Sequence, residues 1–367
     1  MMPGKIRVAF IKYGGLAAGG TERWLQMMAA NLPKDAYAVD YYYCEARPYA
    51  DRPDADAHPE RLSYMQEHGV NLVRFEVRNM LMDKLTYPWL ETDFWQKFDA
   101  SRYDLVQTGK AGPQEYPFYL IGLPVVEFLA LDGGADFSRN IAHSIHLSAW
   151  QRDRWLKKWG NPCRNTVIPI PAVEPASTDD FRRELNIPRD AVVAGFHQRN
   201  SDVIFSDIPL SAFSRISQAG CHFVILGGSR RYRDQAASLG LAQVHFIDHS
   251  ADARVISRFL NTLDIFAHGR YDGETFGTVF AEAMIHGLPC LSHHSYAGSN
   301  AHRETMGPCG LWAMDEQEYA GHLSRLFLDE ELRRDLSAPA RAFAREQYSL
   351  AGCIEKLQRV YEDVAQS

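Results

Sequence analysis

Glu274 and Glu282, with seven residues between them, are the acids whose setting in this sequence points most directly to chemistry. They lie in LDIFAHGRYDGETFGTVFAEAMIHGLPCLSH, residues 263–293. A buried strand is expected to end at Ala267, with a helix from Gly277 or Thr278 that Gly287 and Pro289 stop. Ligands of open parallel sheets bind outside the carboxyl ends of strands, and this loop sits at such an end. The amides of Phe276, Gly277 and Thr278 would then form an anion site backed by the helix dipole, and Gly277 would let a phosphate approach the backbone. A carboxylate beside that site suits sugar hydroxyls better than phosphate, because it only accepts hydrogen bonds. A nucleotide sugar presents hydroxyls on its ribose and its hexose, with a diphosphate between. Solvated acids at a helix start are the ordinary alternative.

His197, Gln198 and Arg199 follow another expected strand at its carboxyl end. Arg199 is placed to clamp a diphosphate through two parallel hydrogen bonds and to stabilise its charge as it leaves. A solvent-facing loop arginine is the alternative there. Gly14, Gly15, Gly19 and Gly20 do not make the G-x-G-x-x-G dinucleotide fingerprint.

To position these loops the chain must supply parallel sheets covered by helices on both faces. Ile6–Ile11 reads as the first buried strand, after which Thr21 caps a helix that starts at Glu22 and ends at Pro33. Strands are expected at Ala38–Tyr43, Leu72–Val77, Leu105–Thr108, Pro124–Leu129 and near Ile145–Leu147, with a long exposed loop between residues 45 and 70. The proline-rich stretch IPIPAVEPASTDD, residues 168–180, reads as a linker. The alternation then restarts, with strands at Val192–Phe196, His222–Leu226, Val244–Ile247, Leu263–Ala267 and a last one at Pro289–Ser292. Helices fall at Ile208–Gln218, 230–239, Ala253–Leu260 and 278–286, and residues 316–367 read as helical throughout. The expected class is α/β, with two Rossmann-like doubly wound domains facing a cleft, residues 1–172 and 173–346. A last helix, 347–367, would cross back to the first domain.

With these motifs in place the chain resembles the retaining glycosyltransferases of family 4, on the GT-B fold, whose signature is ExxxxxxxE. The GG…GGTERWL loop and helix, the VILGGS strand end and GPCGLWAMDEQEYAGHLSRLFLDEELRRDL add to the likeness, which covers most of residues 5–363. It implies that Glu274 contacts the donor sugar, Glu282 the ribose, and the Phe276–Thr278 amides the diphosphate. Gly15 and Gly20 would lie beneath the donor phosphates and beside the acceptor. It also implies transfer with retained configuration and without metal or other cofactor. Two positions depart from the pattern. Ile204 and Phe205 stand where the family has lysine and glycine, and Arg230 or Arg231 is the candidate to supply the missing charge. Ala130 stands where members often carry a histidine facing the transferred sugar. Asp132 and His143 are the acceptor-side candidates nearby, with His146 next to them, against a turn at Gly133 and plain packing as alternatives.

Composition narrows the classes. The 367 residues carry 39 Lys plus Arg against 46 Asp plus Glu, a net charge of −7, which excludes a general nucleic-acid binder. The six cysteines form no CxxC pair and no zinc spacing, so free thiols in the cytoplasm are expected. No apolar run is long enough to cross a bilayer. SAWQRDRWLKKWGNPCR, residues 148–164, mixes Arg and Lys with three tryptophans and is a candidate for contact with an anionic membrane surface. The expected function is transfer of a hexose from a nucleoside diphosphate sugar to an acceptor hydroxyl on a carbohydrate, lipid-linked or small molecule. A sugar-nucleotide epimerase or phosphorylase, a nicotinamide oxidoreductase and a non-catalytic nucleotide-sugar-binding protein are the alternatives.

Overall fold

The computed structural model describes residues 4–12, 16–17, 19–44, 59–76, 92–110, 121–131, 139–159, 164–216 and 220–366. The chain divides into two compact units, Met1–Ile170 with Ala351–Ser367, and Pro171–Leu350.

The first unit is built on a seven-stranded sheet. Its strands are β1 (Ile6–Lys12), β2 (Tyr37–Cys44), β3 (Asn71–Phe75), β4 (Leu105–Lys110), β5 (Val125–Leu129), β6 (Ile141–His146) and β7 (Arg164–Val167). They run in the order β3-β2-β1-β4-β5-β6-β7, and every pairing is parallel. Helices α1 (Gly20–Asn31), α2 (Pro59–Glu67), α3 (Phe94–Lys97) and α4 (Ala149–Trp159) belong to the same unit. Parallel strands buried on both faces read as largely apolar runs, which is why β1 and β5 are visible in the sequence. Trp24 of α1 stacks on Phe128 of β5 at 4.1 Å, and its Nε1 donates to Pro169 O at 3.2 Å.

Three expectations for this unit are corrected. Helix α1 starts at Gly20 with Gly19 as its cap, because Thr21 is buried against the sheet instead of capping from outside. Residues 59–67, expected in a long loop, form α2; Met65 is its one buried residue, so no apolar stripe marked it. Pro59 opens that helix, where its missing N–H would have had no partner anyway. The strand expected near Ile145–Leu147 begins at Ile141, and β7 was not foreseen because its four residues, RNTV, are mostly polar.

The second unit holds a six-stranded sheet in the order β10-β9-β8-β11-β13-β15, again all parallel. Its members are β8 (Val192–Gln198), β9 (Cys221–Gly227), β10 (Val244–Ile247), β11 (Ile265–Ala267), β13 (Cys290–His293) and β15 (Gly310–Ala313). A separate two-stranded clip pairs β12 (Gly273–Glu274) with β14 (Ser299–Asn300). The helices are α5 (Ile208–Ile216), α6 (Arg230–Ser238), α7 (Ala253–Thr262), α8 (Thr278–Ile285), α9 (His302–Met306), α10 (Glu316–Leu328) and α11 (Glu330–Tyr348). Strand β15 corrects the expectation that Pro289–Ser292 is the last strand. It is a half-buried edge strand that follows the Gly307–Cys309 turn directly, so its four residues carry little pattern.

The helical tail is broken at Asp329, whose carboxylate caps α11, and at Ser349. The final helix, α12 (Leu350–Ala365), packs on the first unit, where Tyr361 Oη donates to Gln107 Oε1 at 2.8 Å. Within α4, Trp155 is fully buried beside His146, while Arg154 lies over Trp150 and Lys158 over Trp159. No described helix is long and apolar enough to cross a membrane.

Candidate functional site

The acids singled out in the sequence sit on a loop and helix at the carboxyl end of β11. The clip β12–β14 fixes the loop. Ala301 N donates to Glu274 O at 3.1 Å, and Glu274 N donates to His302 Nδ1 at 3.3 Å. His302 therefore carries its proton on Nε2, which faces His293 O at 3.3 Å, and burial pulls its pKa down to about 4. Gly277, at φ +84°, caps α8 in the left-handed region; a Cβ there would meet the Phe280 ring at 2.7 Å. Thr305 Oγ1 donates to Phe276 O and holds the turn from behind.

Glu274 is mostly buried, its side chain 16% exposed. Arg270 Nη1 donates to its Oε1 at 2.9 Å, and the same guanidinium grips Asp272 through Nε and Nη2 at 2.5 and 3.0 Å. Burial raises the Glu274 carboxyl above its ordinary range, with Arg270 pulling against it. Arg199, exposed at the end of β8, adds a weaker pull in the same direction. Burial opposes the charge of Arg270 too, but Glu274 and Asp272 outweigh it and raise its pKa.

His268, fully buried at the strand end, has its Nε2 3.9 Å from Glu274 Oε1. Neither of its ring nitrogens has a hydrogen-bond partner among the described residues, and burial holds its pKa well below the ordinary histidine value.

Glu282 lies inside α8, also buried, and its Oε2 is 3.3 Å from His197 Nε2 at the end of β8. The two acid–imidazole pairs are neighbours. Phe266 has its ring 6.1 Å from that of His268 and 6.0 Å from that of His197. The structure thus gathers Glu274, Phe276, Gly277, Thr278 and Glu282 on one loop and helix, beside β8, whose end leads into Arg199.

Arg230 opens α6 with its side chain 88% exposed, 3.7 Å from Asp234. It lines a cavity of about 430 Å³ with Asn200, Gly227, Gly228, Asp248 and His249. Ile204, at the position of the missing lysine, is fully buried, and its carbonyl accepts from Tyr271 N at 3.2 Å. Arg231 instead lies over the Phe205 ring at 4.1 Å.

In the first unit, Gly20 is the exposed first residue of α1. His143 is buried within β6 against Thr166 Oγ1 at 2.9 Å, three residues before the strand's carboxyl end, with its pKa pulled down to about 4 by burial. Ala130 is buried just beyond β5. Gly15 and Asp132 lie outside the described residues. Among the described residues no three His, Cys, Asp or Glu side chains group as metal ligands.

Sequence reading missed Arg270 and His268. Both stand in the quoted run, yet only folding turns them onto Glu274. It also missed the buried pair Lys110–Glu127 (2.8 Å) in the first unit, where Ser144 donates to the same carboxylate at 2.7 Å.

Residues 177–343 match the family model described as Glycosyl transferases group 1. A 202-residue stretch, 49% of this chain, is 30% identical to the D-inositol 3-phosphate glycosyltransferase of Stackebrandtia nassauensis, and it spans 44% of that protein. Among solved structures, HepE of Anabaena in complex with UDP and glucose aligns over 98% of this chain and 100% of its own, with a TM-score of 0.71 and 18% identity. A glycosyltransferase of Rickettsia africae aligns over 99% of both chains, with a TM-score of 0.77 and 12% identity. These likenesses show the GT-B fold.

Proposed function

We propose that this chain, whose residues 177–343 match the model of the group 1 glycosyl transferases, transfers a hexose from a nucleoside diphosphate sugar to an acceptor hydroxyl, with retention of configuration. The observation that carries the reading is the grouping of Glu274 and Glu282 around the Gly277-capped start of α8, with Arg270 hydrogen-bonded to the first acid and His197 Nε2 3.3 Å from the second. The start of α8 takes the diphosphate, with Arg199 and Arg230 beside it. The cavity of about 430 Å³ takes the nucleoside. Glu274 accepts from hexose hydroxyls and Glu282 from the ribose.

In this mechanism the bond from the anomeric carbon to the diphosphate breaks as charge on the leaving oxygen is stabilised by α8 and the arginines. That oxygen takes the proton of the acceptor hydroxyl, which attacks from the same face. The likeness to HepE, seen with UDP and glucose, makes UDP-glucose the first donor to test. The acceptor class, a carbohydrate, lipid-linked or small-molecule hydroxyl, follows from the same reading.

Calorimetric titration of the full chain with a panel of nucleotide sugars tests it. At least one is expected to bind and to release its nucleoside diphosphate when acceptors are added, with binding at least tenfold weaker in Glu274→Ala and Glu282→Ala. Failure of every nucleotide sugar to bind would end the proposal. Binding without turnover would favour a non-catalytic nucleotide-sugar-binding protein, the reading that the buried Ile204 supports.

A further inference from the structure

A second cavity, of about 730 Å³, opens on the second unit beyond the Glu274 loop. We propose that it is a binding site for a neutral oligosaccharide. Its size falls in the range of small-molecule sites. Its walls come from the segment before α5, the loop after β11, the loop after β13 and the start of α10.

Two tyrosines on its lining leave large aromatic surfaces in water, Tyr271 at 61% and Tyr296 at 81% exposure. Both are fixed. Tyr296 stands edge-on to His294 at 4.5 Å, and its Oη donates to Met314 O at 3.3 Å. Tyr271 donates from its backbone N to Ile204 O at 3.2 Å and accepts at its carbonyl from Ser295 Oγ at 2.7 Å. Tyrosine rings, with two side-chain torsions each, offer contact area at little cost in conformational entropy. A pyranose ring has a C–H face to lay on such a ring and hydroxyls at its rim that need acceptors.

The charges on the lining choose among ligands. Among the described lining residues are four carboxylates, those of Asp202, Asp207, Asp315 and Glu316, and one arginine, Arg231. That balance repels phosphates, so the cavity is no extension of the diphosphate site. Asp315 is spent on capping α10, accepting from Glu318 N at 2.9 Å, and Glu316 pairs with Arg215. Asp202 and Asp207 are then the hydroxyl acceptors, since an ionised carboxylate only accepts hydrogen bonds. Resting on the transfer reading, the ligand is the sugar part of a glycan acceptor, held on the unit that binds the donor.

The test is saturation-transfer NMR of the full chain with an array of neutral hexose and N-acetylhexosamine oligosaccharides, with spermidine as the cationic arm. At least one oligosaccharide is expected to bind, and to bind at least fivefold more weakly to Tyr296→Ala and Asp207→Asn, while UDP binding stays unchanged in both. Absence of binding across the array, equal binding by both variants, or displacement by spermidine would overturn the proposal. Loss of UDP binding by the wild type with oligosaccharide binding retained would instead remove the donor reading and leave this site standing.

Discussion

Arg270 and Glu274 share a hydrogen bond of 2.9 Å, Nη1 to Oε1, while the other edge of the guanidinium holds Asp272. The acid that the motif singles out is thus paired within the protein before any ligand arrives. Its position is set by a neighbour four residues earlier, on a loop clipped by β12 and β14.

Removing that neighbour leaves Glu274, largely buried, and Asp272, 38% exposed, without the cation that is hydrogen-bonded to both. Arg270→Ala is expected to lower the unfolding free energy by roughly 2–3 kcal/mol. Arg270→Lys should recover less than half of the loss, since an ammonium cannot fork between two carboxylates. Urea denaturation measures both, and a wild-type midpoint for the alanine variant would show that the pair contributes nothing to folding.

His268 presents the opposite case, a buried imidazole with no hydrogen bond among the described residues, lying among the rings of Phe196, Phe266 and Phe280. An apolar ring should suit that cage better. His268→Phe is expected to keep or raise stability by about 1 kcal/mol, yet to lower donor turnover because Glu274 loses its neighbour at 3.9 Å. Paired melting and turnover measurements would show whether the two move apart. A variant with unchanged turnover would assign His268 to packing.

For the arginines, Arg199→Ala is expected to weaken UDP binding about tenfold, the size of one lost charge-assisted contact. Arg230, 88% exposed and facing Asp234, should matter less, by roughly threefold at low salt. Titration of the two variants at two salt concentrations decides, and unchanged affinity in both would remove the clamp.

Gly227 turns the chain at φ +78° with its ideal Cβ position 2.2 Å from Gln198 O. Gly227→Ala should cost more than about 2 kcal/mol, because the obstacle is backbone that cannot move aside. Gly20→Ala, which meets only the end of Ile170 at 3.5 Å, serves as the mild control. Thermal melts of the pair should separate widely; equal melts would show that the turn yields.

Stability should fall in mild acid. Burial lowers His143, His146 and His302 to about 4 from an ordinary 6.5, so between those values the unfolded chain binds more protons than the folded one. Their contribution is complete above about pH 6.5 and is lost as pH falls towards 4, at roughly 1.4 kcal/mol per pH unit for each. Denaturation midpoints measured from pH 7.5 to 4.5 give the slope. A flat profile would mean that these rings are already protonated or reached by water.

Both sheets were legible because parallel strands buried on two faces must be largely apolar, and β1, β5, β8 and β9 are. What escaped were short pieces without that burden, such as β7, β15 and the clip β12–β14, together with α2, which buries a single residue. Spacing also placed Glu274, Gly277 and Glu282 on one loop and helix, since residues so close in sequence cannot lie far apart.

The amino-acid sequence alone established the α/β alternation, the loop that carries the acids and the net charge of −7, all of which depend on local pattern and composition. Only the tertiary structure decided which basic groups stand beside those acids. Arg270 turns back onto Glu274 through the clip, His197 reaches Glu282 from a strand about eighty residues earlier, and Ile204 buries where a cation was sought. Such pairings depend on which side chains the packed sheet leaves facing one another, and that is settled only when the core closes.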